Sequence, residues 1–134
     1  MSQENVQTIR SIYEAFEKGD VPAALAHMPE RIEWREAENF IYADRNPYIG
    51  PQAVLEGVFM RLGSDWESFT VTPGEWLDAG DHVVVLGTYT GTHRGTGREV
   101  RAQFAHIWGV TGSRVVRFQQ YTDTKQFAEA AAES

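Results

Sequence analysis

The stretch REVRAQFAHIWGV, residues 98–110, alternates with a period of two. Its even positions are Val100, Ala102, Phe104, His106, Trp108 and Val110. Its odd positions are Glu99, Arg101, Gln103, Ala105, Ile107 and Gly109. Such alternation marks a strand with one face in a core. One residue breaks the rule: His106 sits in the middle of the buried row.

Working outward, the segments on either side also read as strands. Trp66 to Leu77 carries a break or bulge at Pro73-Gly74. His82 to Thr92 runs through Val83, Val84, Val85 and Leu86, apolar on both faces. Arg114 to Thr122 follows the tight Thr111-Gly112-Ser113 turn. In that last strand Val116 and Phe118 share a face with Gln120 and Thr122 if no bulge intervenes. An early strand, Arg31 to Glu36, puts Ile32, Trp34 and Glu36 on one face and Arg31, Glu33 and Arg35 on the other.

The remaining segments are helical. Val6, Ile9, Ile12, Tyr13 and Phe16 give Glu4 to Lys18 a helical stripe, stopped by Gly19. Asp20 caps a short second helix with Pro22 in its first turn and Ala24, Leu25 and Met28 facing inward, and Pro29 ends it. Pro51 opens a third helix through Leu62, buried along Val54, Leu55, Val58 and Phe59 and closed by Gly63. The irregular stretch from Ala37 to Gly50 has the length of a functional loop, and a lid is expected there. The tail, Thr124 to Glu133, reads as a short helix. Helices packed on one side of a mostly antiparallel sheet make an α+β domain, expected to span 1–134.

Composition narrows the function. The chain has 134 residues, 42% hydrophobic, with four Trp, five Tyr and seven Phe. That is a globular composition, with more aromatic side chains than one small core needs, so some are expected to line a cavity. A net charge of −7 without a Lys/Arg cluster argues against nucleic acid and against an anionic membrane surface. The absence of cysteine excludes disulfides and thiolate catalysis. His27, His82, His93 and His106 are scattered, so no metal site is expected. Gly95-Thr96-Gly97 is a hairpin turn rather than a phosphate loop, because no helix follows it. The first residues, MSQENVQTIR, lack a signal peptide's apolar run, and a cytoplasmic protein is expected.

The candidate site comes from polar groups on apolar faces. Glu36 continues the Ile32/Trp34 face. A carboxylate in such surroundings is costly unless paired, and its pKa rises towards neutrality, as a general base at pH 7 requires. His106 would donate a hydrogen bond to developing oxyanion charge or shuttle a proton. Gln120 would position the ligand, while Tyr13, Trp34, Trp108, Phe118 and Thr122 would form the wall. The competing readings make His106 a core histidine bonded to Glu36, Gln120 or a buried water, and let Glu36 reach solvent at a frayed strand end.

The ordered set of YEAFEKGD (13–20), IEWRE (32–36), Gly50-Pro51, GTHRGTG (91–97), FAHIW (104–108) and RFQQYTD (117–123) resembles the SnoaL-like branch of the nuclear transport factor-like superfamily. That superfamily also holds ketosteroid isomerases, polyketide cyclases, limonene epoxide hydrolases and dehydratases. The resemblance implies a cystatin-like cone: a curved sheet around a long N-terminal helix, with a pocket at the wide end. It puts Glu36 where the isomerases carry their general-base aspartate, and His106 near their protonated oxyanion-hole aspartate. Their oxyanion-hole tyrosine falls on Ile12, and the cyclases' catalytic aspartate falls on Gln120. The epoxide hydrolases' aspartates have no counterpart between Leu86 and Thr92.

Two functions follow. One is an isomerase- or cyclase-type enzyme that moves protons on a small apolar carbonyl compound without a cofactor. The other is a non-catalytic ligand-binding or assembly module. Either is compatible with a homodimer, for which the resemblance implies pairing through the outer sheet face. Ala105, Ile107 and Val85 are expected to supply the apolar patch.

Overall fold

The structure is a computed structural model that describes residues 2–112 and 114–132. Helix α1 (Ser2–Glu17) buries Ile9, Ile12 and Tyr13. It ends in a Schellman motif: Gly19 takes φ 70°, Asp20 N donates to Ala15 O at 2.8 Å, and Gly19 N donates to Phe16 O at 3.0 Å. Asp20 then caps α2 (Val21–Ala26) by accepting from Ala23 N at 3.1 Å.

Strand β1 shrinks to Glu33–Arg35, yet the alternation runs past it, with Ile32, Trp34 and Glu36 all buried. A side chain extends the ladder. Asn46 Oδ1 accepts from Glu36 N at 3.0 Å and Asn46 Nδ2 donates to Glu36 O at 2.8 Å, standing in for a strand partner.

The stretch from residue 37 to 50 is not a lid. Phe40, Tyr42 and Tyr48 are buried in it, and it contains a 3₁₀ turn (Ala43–Arg45) and β2 (Tyr48–Ile49). The Tyr42 hydroxyl donates to Asp65 at 2.7 Å and accepts from Trp66 Nε1 at 3.1 Å, and Tyr48 donates to Tyr42 O. Burying three aromatic rings fixes this segment as part of the wall.

The third helical run is longer than its Gly63 suggests: α3 (Pro51–Val54), a π-helical turn (Leu55–Phe59) and α4 (Met60–Asp65) follow without a break. Gly63 points to open space and ends nothing. Gly57 lies within the π-turn, directly over the Tyr48 ring.

Four long strands complete the sheet: β3 (Trp66–Asp78), β4 (His82–His93), β5 (Glu99–Thr111) and β6 (Arg114–Thr122). The order is β2-β1-β6-β5-β4-β3, antiparallel except for β1 with β6. The register shifts between Pro73 and Glu75, leaving Gly74 as a bulge that bends the long β3. Helix α1 packs against β3 and β4, inside the curve of the open sheet. Helix α5 (Thr124–Ala131) closes one end by burying Phe127 against Phe40, Trp66, Phe69 and Tyr89. Ser113 of the expected turn and Glu133 of the expected tail helix lie outside the described residues. Among the described residues no helix is long and apolar enough to cross a membrane.

Two face assignments are corrected by register. Gly109 pairs with Arg117 and Val110 with Val115, so Val116 is bulged out. Val115 is therefore buried and Val116 is 38% exposed, the reverse of simple alternation. Val85 pairs with His106 and shares its inner face, whereas Val84 and Leu86 join Ile107 and Ala105 outside.

Gly57 provides a stability test. A Cβ there would sit 2.1 Å from Tyr48 Cε1, and that ring is tied down through its hydroxyl. Gly57→Ala is expected to destabilise the protein by about 2–3 kcal/mol in urea unfolding, because neither the helix nor the ring can yield cheaply.

Candidate functional site

The curve of the sheet encloses a cavity of about 520 Å³, within the range of small-molecule sites. Phe16, Trp34, Phe59, Phe69, Trp108 and Phe118 give it a mainly aromatic wall. The exposed Glu17, Gly19, Gly63, Glu67 and Arg94 mark its mouth. Arg94 is held there by Ser64 O and Trp66 O, each at 3.2 Å. The polar lining of the interior is Glu36, Tyr89, His106 and Gln120.

Each of these four is placed by a strand or its extension. Glu36 stands just past β1, with its backbone clamped by Asn46. Its side chain is 3% exposed, and burial pushes its pKa up from 4.5 to about 8. The indole of Trp34 bears on the carboxyl and opposes that rise, but among the described residues Trp34 Nε1 has no aligned hydrogen-bond partner. No cation pairs with the carboxyl among the described residues. At neutral pH Glu36 is therefore mainly protonated.

His106, on β5, is bonded at both nitrogens. Tyr13 OH lies 2.6 Å from Nδ1, and the Tyr89 hydroxyl meets Nε2. Phe104 stacks on the imidazole with centroids 4.0 Å apart. Burial lowers the histidine pKa from 6.5 to about 3, so the ring is neutral. Trp108 Nε1 donates to Tyr13 OH at 2.9 Å. Gln120 Oε1 accepts from Ala37 N at 3.1 Å, which turns its amide nitrogen to donate to Tyr89 OH at 3.0 Å. One network thus runs from α1 through β5 and β4 to β6 and the backbone next to Glu36.

Of the expected site residues, Glu36, His106, Trp34, Trp108, Phe118 and Gln120 meet in this cavity. Tyr13 and Thr122 do not line it. Tyr13 stands behind the imidazole, and Thr122 lies at the end closed by Phe127, where its hydroxyl donates to Gln103 O at 2.7 Å. With both nitrogens occupied by tyrosines, His106 has no ring N–H for a ligand. The negative charge of Glu36 is felt at Tyr89 rather than at His106. Tyr89 escaped the sequence reading because a tyrosine in a strand reads as core. Its one signal was register: Tyr89 shares the inner face with Val83 and Val85.

An open, strongly curved sheet around an N-terminal helix, with an aromatic cavity inside, is the NTF2-like cone. The chain belongs to the SnoaL-like domain family, whose model matches residues 9–118. An NTF2-like protein from Burkholderia thailandensis is 34% identical, with 96% of this chain and 98% of that one covered, at a TM-score of 0.92. An NTF2-like protein of unknown function from Burkholderia pseudomallei is 27% identical, with 97% and 98% covered and a TM-score of 0.88. TerC, co-crystallised with polyporic acid, is 25% identical, with 96% and 98% covered and a TM-score of 0.85. Among curated proteins none matches the chain.

The two shifted groups set opposite stability limits. Glu36 keeps its proton in the fold but loses it above pH 4.5 when unfolded, so stability falls as pH rises from about 4.5 to about 8. His106 stays neutral in the fold but protonates below pH 6.5 when unfolded, so stability falls as pH drops from about 6.5 to about 3. Glu36→Gln is expected to match the parent near pH 4.5 and to exceed it by about 2–4 kcal/mol at pH 9 in denaturant titrations.

Proposed function

We propose that the protein is a cofactor-independent acid-base enzyme acting on a small, mostly apolar carbonyl compound. The observation that carries this reading is Glu36: a carboxyl without a counter-ion, buried in an aromatic cavity, with its pKa near 8. In its ionised form it accepts a proton from the carbon next to the ligand's carbonyl, leaving an enolate. The carboxylic acid so formed returns the proton to another carbon, or to the oxygen, giving an isomerase- or cyclase-type outcome. A base whose pKa lies close to the working pH suits both directions of transfer. Desolvation in the aromatic cavity strengthens the electrostatics of each step.

His106 serves here through its neighbours, holding Tyr13 and Tyr89 in place. Gln120 positions the ligand's polar end, and Trp34, Trp108 and Phe118 pack its apolar body. The crystallisation of TerC with an organic acid supports a small organic ligand in the same fold.

The test is exchange of α-protons of aryl ketones in D₂O, followed by proton NMR. The rate constant is expected to rise with pH and level off above pH 8, and to fall about 10³-fold in Glu36→Gln. Retention of aryl ketones without any exchange would favour the binding-module reading instead.

We further propose a homodimer formed through the outer sheet face. Leu77 (43% exposed) and Tyr121 (53% exposed) flank Val84, Leu86, Ala105 and Ile107 there in adjacent cross-strand rows. Ile107→Asp is expected to convert a dimer into a folded monomer in sedimentation velocity, because a desolvated carboxylate would face the partner sheet.

A further inference from the structure

We infer that Tyr89 is the donor that meets a ligand's oxygen, its proton turned into the cavity by a one-way chain of hydrogen bonds from Trp108 through Tyr13 and His106. This goes beyond the proposed proton transfer and rests on it only in taking the ligand to carry a carbonyl-type oxygen.

Counting protons carries the inference. The neutral His106 ring has one N–H and one lone pair, and each nitrogen faces a tyrosine hydroxyl. Two phenol protons and one imidazole proton therefore serve two contacts, and one proton is left over. Its location depends on the tautomer.

With the proton on Nδ1, the Tyr13 oxygen would accept from both Nδ1 and Trp108 Nε1, an indole that can only donate. The Tyr13 proton would then have no acceptor among the described residues, since Phe16, Trp76 and Trp108 pack their rings around the phenol. An unmade hydrogen bond at a fully enclosed hydroxyl is costly. With the proton on Nε2, every donor behind the cavity wall is used, and the spare proton falls on Tyr89, which is equally buried but lines the cavity. Trp108 donates to Tyr13, Tyr13 to Nδ1, and Nε2–H to Tyr89.

Tyr89 oxygen also accepts from Gln120 Nε2, whose orientation is fixed by the Ala37 N–H on its other end. The Tyr89 proton then has no protein acceptor in the network, and Tyr89 lines the cavity while Tyr13 does not. Successive donors pointing the same way polarise one another, so the final O–H is a stronger donor than a lone tyrosine. Burial, reinforced by the charge of Glu36 when that group is ionised, holds the Tyr89 pKa well above 10, so the group stays protonated and donates. The ligand class that fits has an apolar ring body and an oxygen acceptor at the end nearest Glu36 and Tyr89.

The experiment has two arms. In the ligand-free parent, ¹⁵N NMR of His106 should show protonated Nε2 and bare Nδ1 at neutral pH. Protonation of Nδ1, or a charged ring, would overturn the chain. In the second arm ¹³C-carbonyl acetophenone is the probe, and its stretching band is recorded by infrared difference in the parent, Tyr89→Phe and Glu36→Gln, each checked for folding. The band should lie lower in the parent and in Glu36→Gln than in Tyr89→Phe, which should also bind about tenfold more weakly. An unchanged band in Tyr89→Phe, or no acetophenone retained by the parent at millimolar concentration, would overturn the assignment. A band that shifts only in Glu36→Gln would give the donor role to the Glu36 carboxylic acid. That outcome would leave the proton-transfer reading standing, which α-proton exchange decides separately. If Tyr89→Phe does not fold, the tautomer of the parent still decides.

Discussion

A neutral imidazole enclosed on every side must satisfy one N–H and one lone pair, and the interior of this cone is arranged to meet both. Tyr13 arrives from α1 and Tyr89 from β4, each at one nitrogen of His106 on β5. The contact ties the N-terminal helix to the middle of the sheet, so the layer that shapes the cavity and the network that lines it are held by the same bonds. Trp108 and Gln120 extend it at both ends, and Gln120 carries it to the backbone beside Glu36. Each member of such a network depends on its neighbours for a partner, which makes the positions mutually dependent.

Glu36 is the counterpoint. Its backbone is clamped by Asn46, yet among the described residues its carboxyl has neither a counter-ion nor a well-aligned donor. The fold gives its polar partners to the imidazole and leaves the carboxyl in the cavity lining with only the poorly aligned Trp34 indole N–H beside it. Groups left in that state inside a cavity are candidates for contact with a ligand. The aromatic wall supplies the rest, keeping water away from a carboxyl that functions by being poorly solvated.

Much of this was readable from alternation. His106 and Glu36 stood out because each interrupts an apolar face, and the strand and helix order gave an α+β domain, while the cone came from the family resemblance. What stayed hidden depended on register and long-range packing. A bulge cannot be read from residue type, so Val115 and Val116 exchanged roles, and Val85 moved inside because it pairs with His106. The segment from Ala37 to Gly50 looked like a lid, since its turn formers were visible but the burial of Phe40, Tyr42 and Tyr48 was not. Tyr89 and Phe127 lie in a strand and a tail helix whose patterns do not single them out. Only the assembled fold brings one to the imidazole and the other into the end of the cone. Residue type thus identified the groups whose burial is costly, and tertiary contacts decided which of them were satisfied.

Glu36 is a buried carboxyl that keeps its proton at neutral pH, and the most direct measurement of this is its own titration. Carboxyl ¹³C shifts of glutamate-labelled protein, with the Glu36 resonance assigned by its loss in Glu36→Gln, would follow it from pH 3 to pH 10. A midpoint near 8 is expected. A midpoint close to the ordinary 4.5 would mean that water or an undetected partner stabilises the carboxylate, and the proposed base would be wrong.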